Sequence, residues 1–170
     1  MSQALQTLRE HPTQYRIPVY KVSLVRERTL SQLQRPQIRT AAHAAEVLGA
    51  YLAEADRENL VVMLLNSKNR IIGINTVSVG HLSSSLAHPR EILKPAILSN
   101  AAAFLLGHNH PSAEVTPSAE DVELTKRVFA TGDLLGIRLL DHLIIAEDGR
   151  WYSFQEDGGL SNLPPWQSSR

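Results

Sequence analysis

The first sixteen residues are polar, show no apolar period and read as a loosely tied arm. Val19 to Val25 (VYKVSLV) is β-rich, with Tyr20, Val22 and Leu24 on one face, which predicts a first strand. A charged stretch from Arg26 to Arg39, interrupted by Pro36, reads as a connection. Thr40 is placed to cap a helix in which Ala44, Val47, Leu48, Tyr51 and Leu52 follow helical spacing, ending near Ala55. Leu60 to Leu65 (LVVMLL) is a short continuous apolar run, the signature of a strand buried on both faces. The turn Asn66-Ser67-Lys68-Asn69 leads into IIGINTVSV, so residues 60–79 predict a hairpin.

Gly80 to His88 is small and polar, and Pro89 suits the first position of a second helix. Pro95 inside that helix removes a backbone donor and predicts a kink. The strand AAFLLG follows, then a polar window. Beyond it, Val122, Thr125, Val128, Phe129 and Leu135 trace a third helix that Gly136 stops. IRLLDHLIIAE is another strand, WYSF a short last one, and residues 156–170, with Gly158-Gly159 and Pro164-Pro165, a loose tail. The sum is an α/β chain with a mixed β-sheet flanked by helices, because a hairpin among the strands argues against a purely parallel sheet.

At 170 residues and 43% hydrophobic content the chain builds one core, placed at residues 17–155 between arm and tail. Lysines plus arginines equal aspartates plus glutamates at 17 each, so no overall basic field draws the chain to a phosphate backbone. With no cysteine there is no disulfide framework, no thiolate nucleophile and no Cys-ligated zinc, which leaves His, Asp, Glu and water as possible metal ligands. The amino end lacks the layout of a secretory signal and no apolar run approaches membrane-spanning length, so the expectation is a cytoplasmic protein without membrane association.

The polar window, Gly107 to Asp121 (GHNHPSAEVTPSAED), carries the chemistry. In an extended backbone His108 and His110 point the same way and Asn109 faces away. Asp121, near the next helix start, can turn back toward the same point. Two imidazoles and a carboxylate are the three protein ligands a catalytic zinc keeps while leaving a fourth position for water. Such an ion lowers the pKa of its bound water to roughly 7. The plainer reading stands beside it: Ser118 is also a good N-cap, and acids are favoured in a first turn whatever else they do. A lone His-x-His is a weak signal. Asp141 and His142, adjacent on a strand, face opposite sides; His142 reads as a hydrogen-bonded core histidine, with a place beside a metal the lesser reading. His11, His43, His81 and His88 read as surface or helix-flanking residues, and Ser83-Ser84-Ser85 as a polar loop that could line a substrate groove.

The window resembles the JAMM motif of MPN-type (JAB) metalloproteases, His-x-His, seven residues, Ser, two residues, Asp, with every spacing met. Together with HPRE (His88 to Glu91) and LLDHLII (Leu139 to Ile145), it is most similar to the RadC branch of that family, over residues from about 17 to 154. The resemblance implies a three-layer cytidine-deaminase-like (MPN) fold. It implies one Zn2+ ion held by His108, His110 and Asp121, Ser118 as oxyanion donor, and a glutamate before a buried strand as general acid/base. Glu58 fills that last position, with Glu91 the competitor. The activity implied is hydrolysis of an amide, peptide or isopeptide bond in a protein or peptide-like substrate. Alternatives are a DNA-repair or mobile-element role near nucleic acid, and a non-catalytic MPN interaction module. The branch usually has HPSG where this chain has Ala113, and its longer members carry a helix-hairpin-helix domain for which this chain has no room.

Overall fold

The computed structural model describes residues 18–29, 37–80, 88–110 and 114–160. Thr40 starts α1 (Ala41–Leu52) by accepting the backbone N–H of His43 at 3.2 Å. β1 (Asn59–Leu65) and β2 (Ile71–Val79) form the expected hairpin, antiparallel across a turn in which Asn69 takes a φ of 54°. Within that turn the Asn66 carboxamide accepts from the backbone of Lys68 and Arg70. In α2 (Pro89–Leu98), Pro89 occupies the first turn and Pro95 sits inside the helix, which continues to Leu98. β3 (Ala103–His110), α3 (Ala119–Leu134), β4 (Arg138–Ala146) and β5 (Trp151–Ser153) complete the order, and Gly136 after α3 adopts a φ of +70°.

The five strands lie in the order β2-β1-β3-β4-β5. β3 and β4 run parallel, with α3 as their crossover, and every other pair is antiparallel. The sheet is therefore mixed, as the hairpin requires. All of β1 after Asn59 is buried, because both faces of the sheet are covered. Leu60, Val62, Leu64, Phe104 and Leu106 pack under α2 and α3 through Ile92, Leu93, Leu124 and Val128. Val61, Met63, Leu65, Leu105 and Leu143 pack on the other side under Ala44, Val47, Leu48 and Leu52 of α1. One helix on one face and two on the other make a three-layer α/β/α domain.

Two sequence expectations are corrected. Val19 to Val25 forms no strand: Val19 is 95% and Val25 88% exposed. β-propensity reports fitness for a pleated surface, and no sheet edge among the described residues pairs with this segment. At the other end, packing runs past residue 155, since Leu160 is buried in the core beneath α2 and α3.

Gly132 shows how closely the third helix meets the sheet. A Cβ there would lie 2.6 Å from the Ile137 carbonyl and 3.2 Å from the Phe104 ring. Replacing a helical glycine by alanine ordinarily stabilises by up to about 1 kcal/mol. Gly132→Ala is expected to do the reverse and lower the melting temperature, because the blocking atom is backbone. A raised melting temperature would show that the crossover relaxes freely.

Candidate metal centre

β3 lies between β1 and β4, so its carboxyl end is fixed from both sides. Gly107 lets α1 rest on it: a Cβ at this position would meet Leu48 Cδ1 at 2.7 Å. The next residues aim inward. His108 is wholly buried and His110 partly exposed, with their Nε2 atoms 2.8 Å apart. Asp121, in the first turn of α3, brings Oδ1 to 3.3 Å from His108 Nε2 and Oδ2 to 3.6 Å from His110 Nε2. Glu58, just before β1, joins them, and one ligand atom from each of the four residues lies within 4.8 Å of all the others.

The donor set suits a cation. His110 Nδ1 is 2.6 Å from the Glu114 carbonyl, which can only accept, so the ring hydrogen sits there and Nε2 turns a lone pair inward. Two imidazole nitrogens and two carboxylates of this kind are ligands for a metal such as zinc, which takes nitrogen and oxygen donors. Burial opposes ionisation of Asp121. The hydrogen bond and charge of His108, with donation from Ser118, nevertheless hold its carboxyl well below the usual carboxylate range.

Ser118 realises the plainer reading of the helix start as well. Its hydroxyl accepts from Asp121 N at 3.1 Å and donates to Asp121 Oδ2 at 2.7 Å, while Ser118 N donates to that same oxygen at 2.8 Å. This reciprocal cap fixes the Asp121 side chain at the helix end, so capping and orientation of the carboxylate are one interaction.

Glu91 stands apart from the cluster. It is a first-turn acid of α2, paired with Lys94 and, at 3.5 Å, with Arg90. His88 caps α2 with its Nδ1, which accepts from Arg90 N at 3.2 Å, and His43 lies on α1. His11, His81, Ser83 to Ser85 and Ala113 fall outside the described residues.

Two residues carry more than the sequence suggested. Asn109 does face away from the histidines, and its carboxamide takes hold of the chain around Glu58. It donates to the Arg57 carbonyl at 3.0 Å and accepts from Asn59 N at 2.8 Å. His142 is a buried core histidine, yet its Nε2 lies 2.9 Å from His108 Nδ1, which places it directly behind the cluster. Burial pushes its pKa well below the ordinary imidazole value, and the neighbouring His108 charge acts the same way. Asp141 does point to the opposite side of the strand. It accepts from Ser153 Oγ, Gln155 N and His142 N, and burial pushes its carboxyl up.

A mixed sheet between one helix and two, with two histidines, an aspartate and a glutamate gathered at the end of its central strand, defines an α/β domain of MPN (JAB) type with a potential metal-binding group. The chain belongs to the family described as the RadC-like JAB domain, whose model matches residues 38–160. Among named relatives, a UPF0758 protein of Rubrobacter xylanophilus is 50% identical over 126 residues, 74% of this chain and 55% of its own. One from Moorella thermoacetica is 50% identical over 124 residues, 73% of this chain and 54% of its own. UPF0758 protein TTE0897 of Caldanaerobacter subterraneus is 52% identical over 102 residues, 60% of this chain and 43% of its own. The chain thus spans about half the length of the curated relatives it matches. No helix among the described residues is long and apolar enough to cross a membrane.

Proposed function

We propose that this domain is a zinc-dependent hydrolase that cleaves an amide bond, peptide or isopeptide, in a protein or peptide-like substrate. The observation that carries the reading is the convergence of Glu58, His108, His110 and Asp121, drawn from three separate elements onto one point. His108, His110 and Asp121 would hold one Zn2+ ion. When bound, that ion would supply an activated water at neutral pH and polarise the scissile carbonyl.

The chain's own residues take the remaining tasks. Glu58 accepts a proton from the attacking water and returns it to the leaving amine, which needs a carboxylate on a fixed main chain. The Asn109 clamp on residues 57 and 59 supplies that fixity. Ser118, whose hydroxyl hydrogen is engaged by Asp121, turns it to the carbonyl oxygen of the substrate as charge develops there. A cavity of about 620 Å³ opens beside His110, along Ala45 and Gly49 of α1 and Ala53 just after it, and across to Trp151. Small side chains along one wall leave room for an extended chain to pass beside His110.

The test uses a set of fluorogenic peptide and isopeptide amides. Hydrolysis should appear with protein purified without chelators, vanish after treatment with 1,10-phenanthroline, and return on addition of zinc. Turnover that is indifferent to the chelator would overturn the assignment.

A further inference from the structure

The hydrogen bonds behind His108 can be followed one hydrogen at a time. Thr125 Oγ1 lies 2.6 Å from the Asp121 main-chain carbonyl and 2.6 Å from His142 Nδ1. Each contact needs a hydrogen between its two heavy atoms. A carbonyl supplies none and a hydroxyl only one, so the hydroxyl donates to Asp121 and the imidazole must supply the other. The His142 hydrogen is therefore on Nδ1. Total burial keeps that ring neutral, and its Nε2 can then only accept. Its partner at 2.9 Å, His108 Nδ1, must be the donor.

We propose that Thr125 and His142 are positioning residues that hold a hydrogen on His108 Nδ1 and so reserve its Nε2, the nitrogen turned toward Asp121 and His110, for the metal. The inference rests on the metal-site reading above. The chain of bonds begins on the main chain of one ligand residue, Asp121, and ends on the ring of another, His108, so α3 and β3 are tied together through β4. Packing fixes the middle member. His142 stacks on Phe154 with ring centres 5.0 Å apart and planes 8° from parallel, and its backbone N–H is held by Asp141 Oδ1 at 2.7 Å. With the ring fixed and its two nitrogens committed, a His108 ring without a hydrogen on Nδ1 would lose the bond to His142. An outer partner of this kind fixes a ligand's orientation and raises its basicity, and disturbing one weakens metal binding by roughly 10–100-fold.

Zinc affinity is measured by competition with a chromophoric chelator for wild type, Thr125→Val and Thr125→Ser, alongside thermal melts of the metal-free proteins. Nitrogen-15 correlation spectra of the histidine rings report the tautomers directly. The expected result is a folded Thr125→Val that binds zinc roughly tenfold or more weakly, with Thr125→Ser restored to near the wild-type value. In metal-free wild type, His108 and His142 should both carry a hydrogen on Nδ1, with His142 Nε2 bare. Equal zinc affinity in Thr125→Val and wild type, or a His108 ring protonated on Nε2 alone, would overturn the proposal. The ring spectra of wild type decide it even if the valine variant fails to fold. Absence of zinc binding in wild type would sink the metal-site reading instead, with the tautomer measurement still standing on its own.

Discussion

Asp121→Ala protein, purified without chelators, is expected to contain no zinc by elemental analysis, where the wild type contains one ion per chain. The Asp121 carboxylate reaches both imidazoles, with oxygens 3.3 Å from His108 Nε2 and 3.6 Å from His110 Nε2. Without it the cluster keeps two imidazoles and the Glu58 carboxylate. If Asp121 is one of three ligands, as proposed, its loss should exceed the roughly 10–100-fold cost of disturbing an outer partner. The same substitution removes half of the reciprocal cap with Ser118, a loss of about 0.5–2 kcal/mol in stability. Asp121→Asn separates the two effects, since a carboxamide oxygen still accepts from Ser118 N. It should melt near the wild-type temperature and still bind zinc poorly. Wild-type zinc content in Asp121→Ala would remove this residue from the ligand set.

How far the sequence leads depends on the separation of the partners. The hairpin, the three helices and the His-x-His geometry are legible because each depends on a local period: two residues per side of a strand, 3.6 per helical turn. The cap at Ser118 is legible for the same reason, being spelled within four residues. The arm at Val19 to Val25 misleads because alternation says which residues could line a surface, without saying whether a neighbouring strand exists. Asn109 and His142 lie at the other extreme. The sequence places Asn109 on the far side of its strand, but not that Arg57 and Asn59 wait there, some fifty residues away in β1's approach. For His142, strand alternation gives two sides and leaves open which one faces the histidines. The β3–β4 register decides, pairing Leu106 with His142 after an irregularity at Phe104 and Leu105. Register is set by tertiary packing, and a single sequence does not display it.

Glu58→Gln is the second large effect, and it divides the roles within the cluster. The amide keeps the shape and an acceptor oxygen but cannot take up a proton at neutral pH. If Glu58 is the general acid/base, zinc content stays at the wild-type level and kcat on a cleavable peptide or isopeptide falls by about 10²–10⁴, with KM little changed. Its carboxylate lies close enough to the two imidazoles and Asp121 to be a fourth ligand instead. In that case zinc itself would be lost from the glutamine variant, and the assignment as base would fall. Glu91→Gln serves as the comparison. Its carboxylate is engaged by Lys94 and Arg90 on the outer surface of α2, so its removal should leave both zinc content and kcat close to wild type. If instead Glu91→Gln lost activity and Glu58→Gln kept it, the proton carrier would have to reach the centre from α2, against the placement of both side chains in the fold.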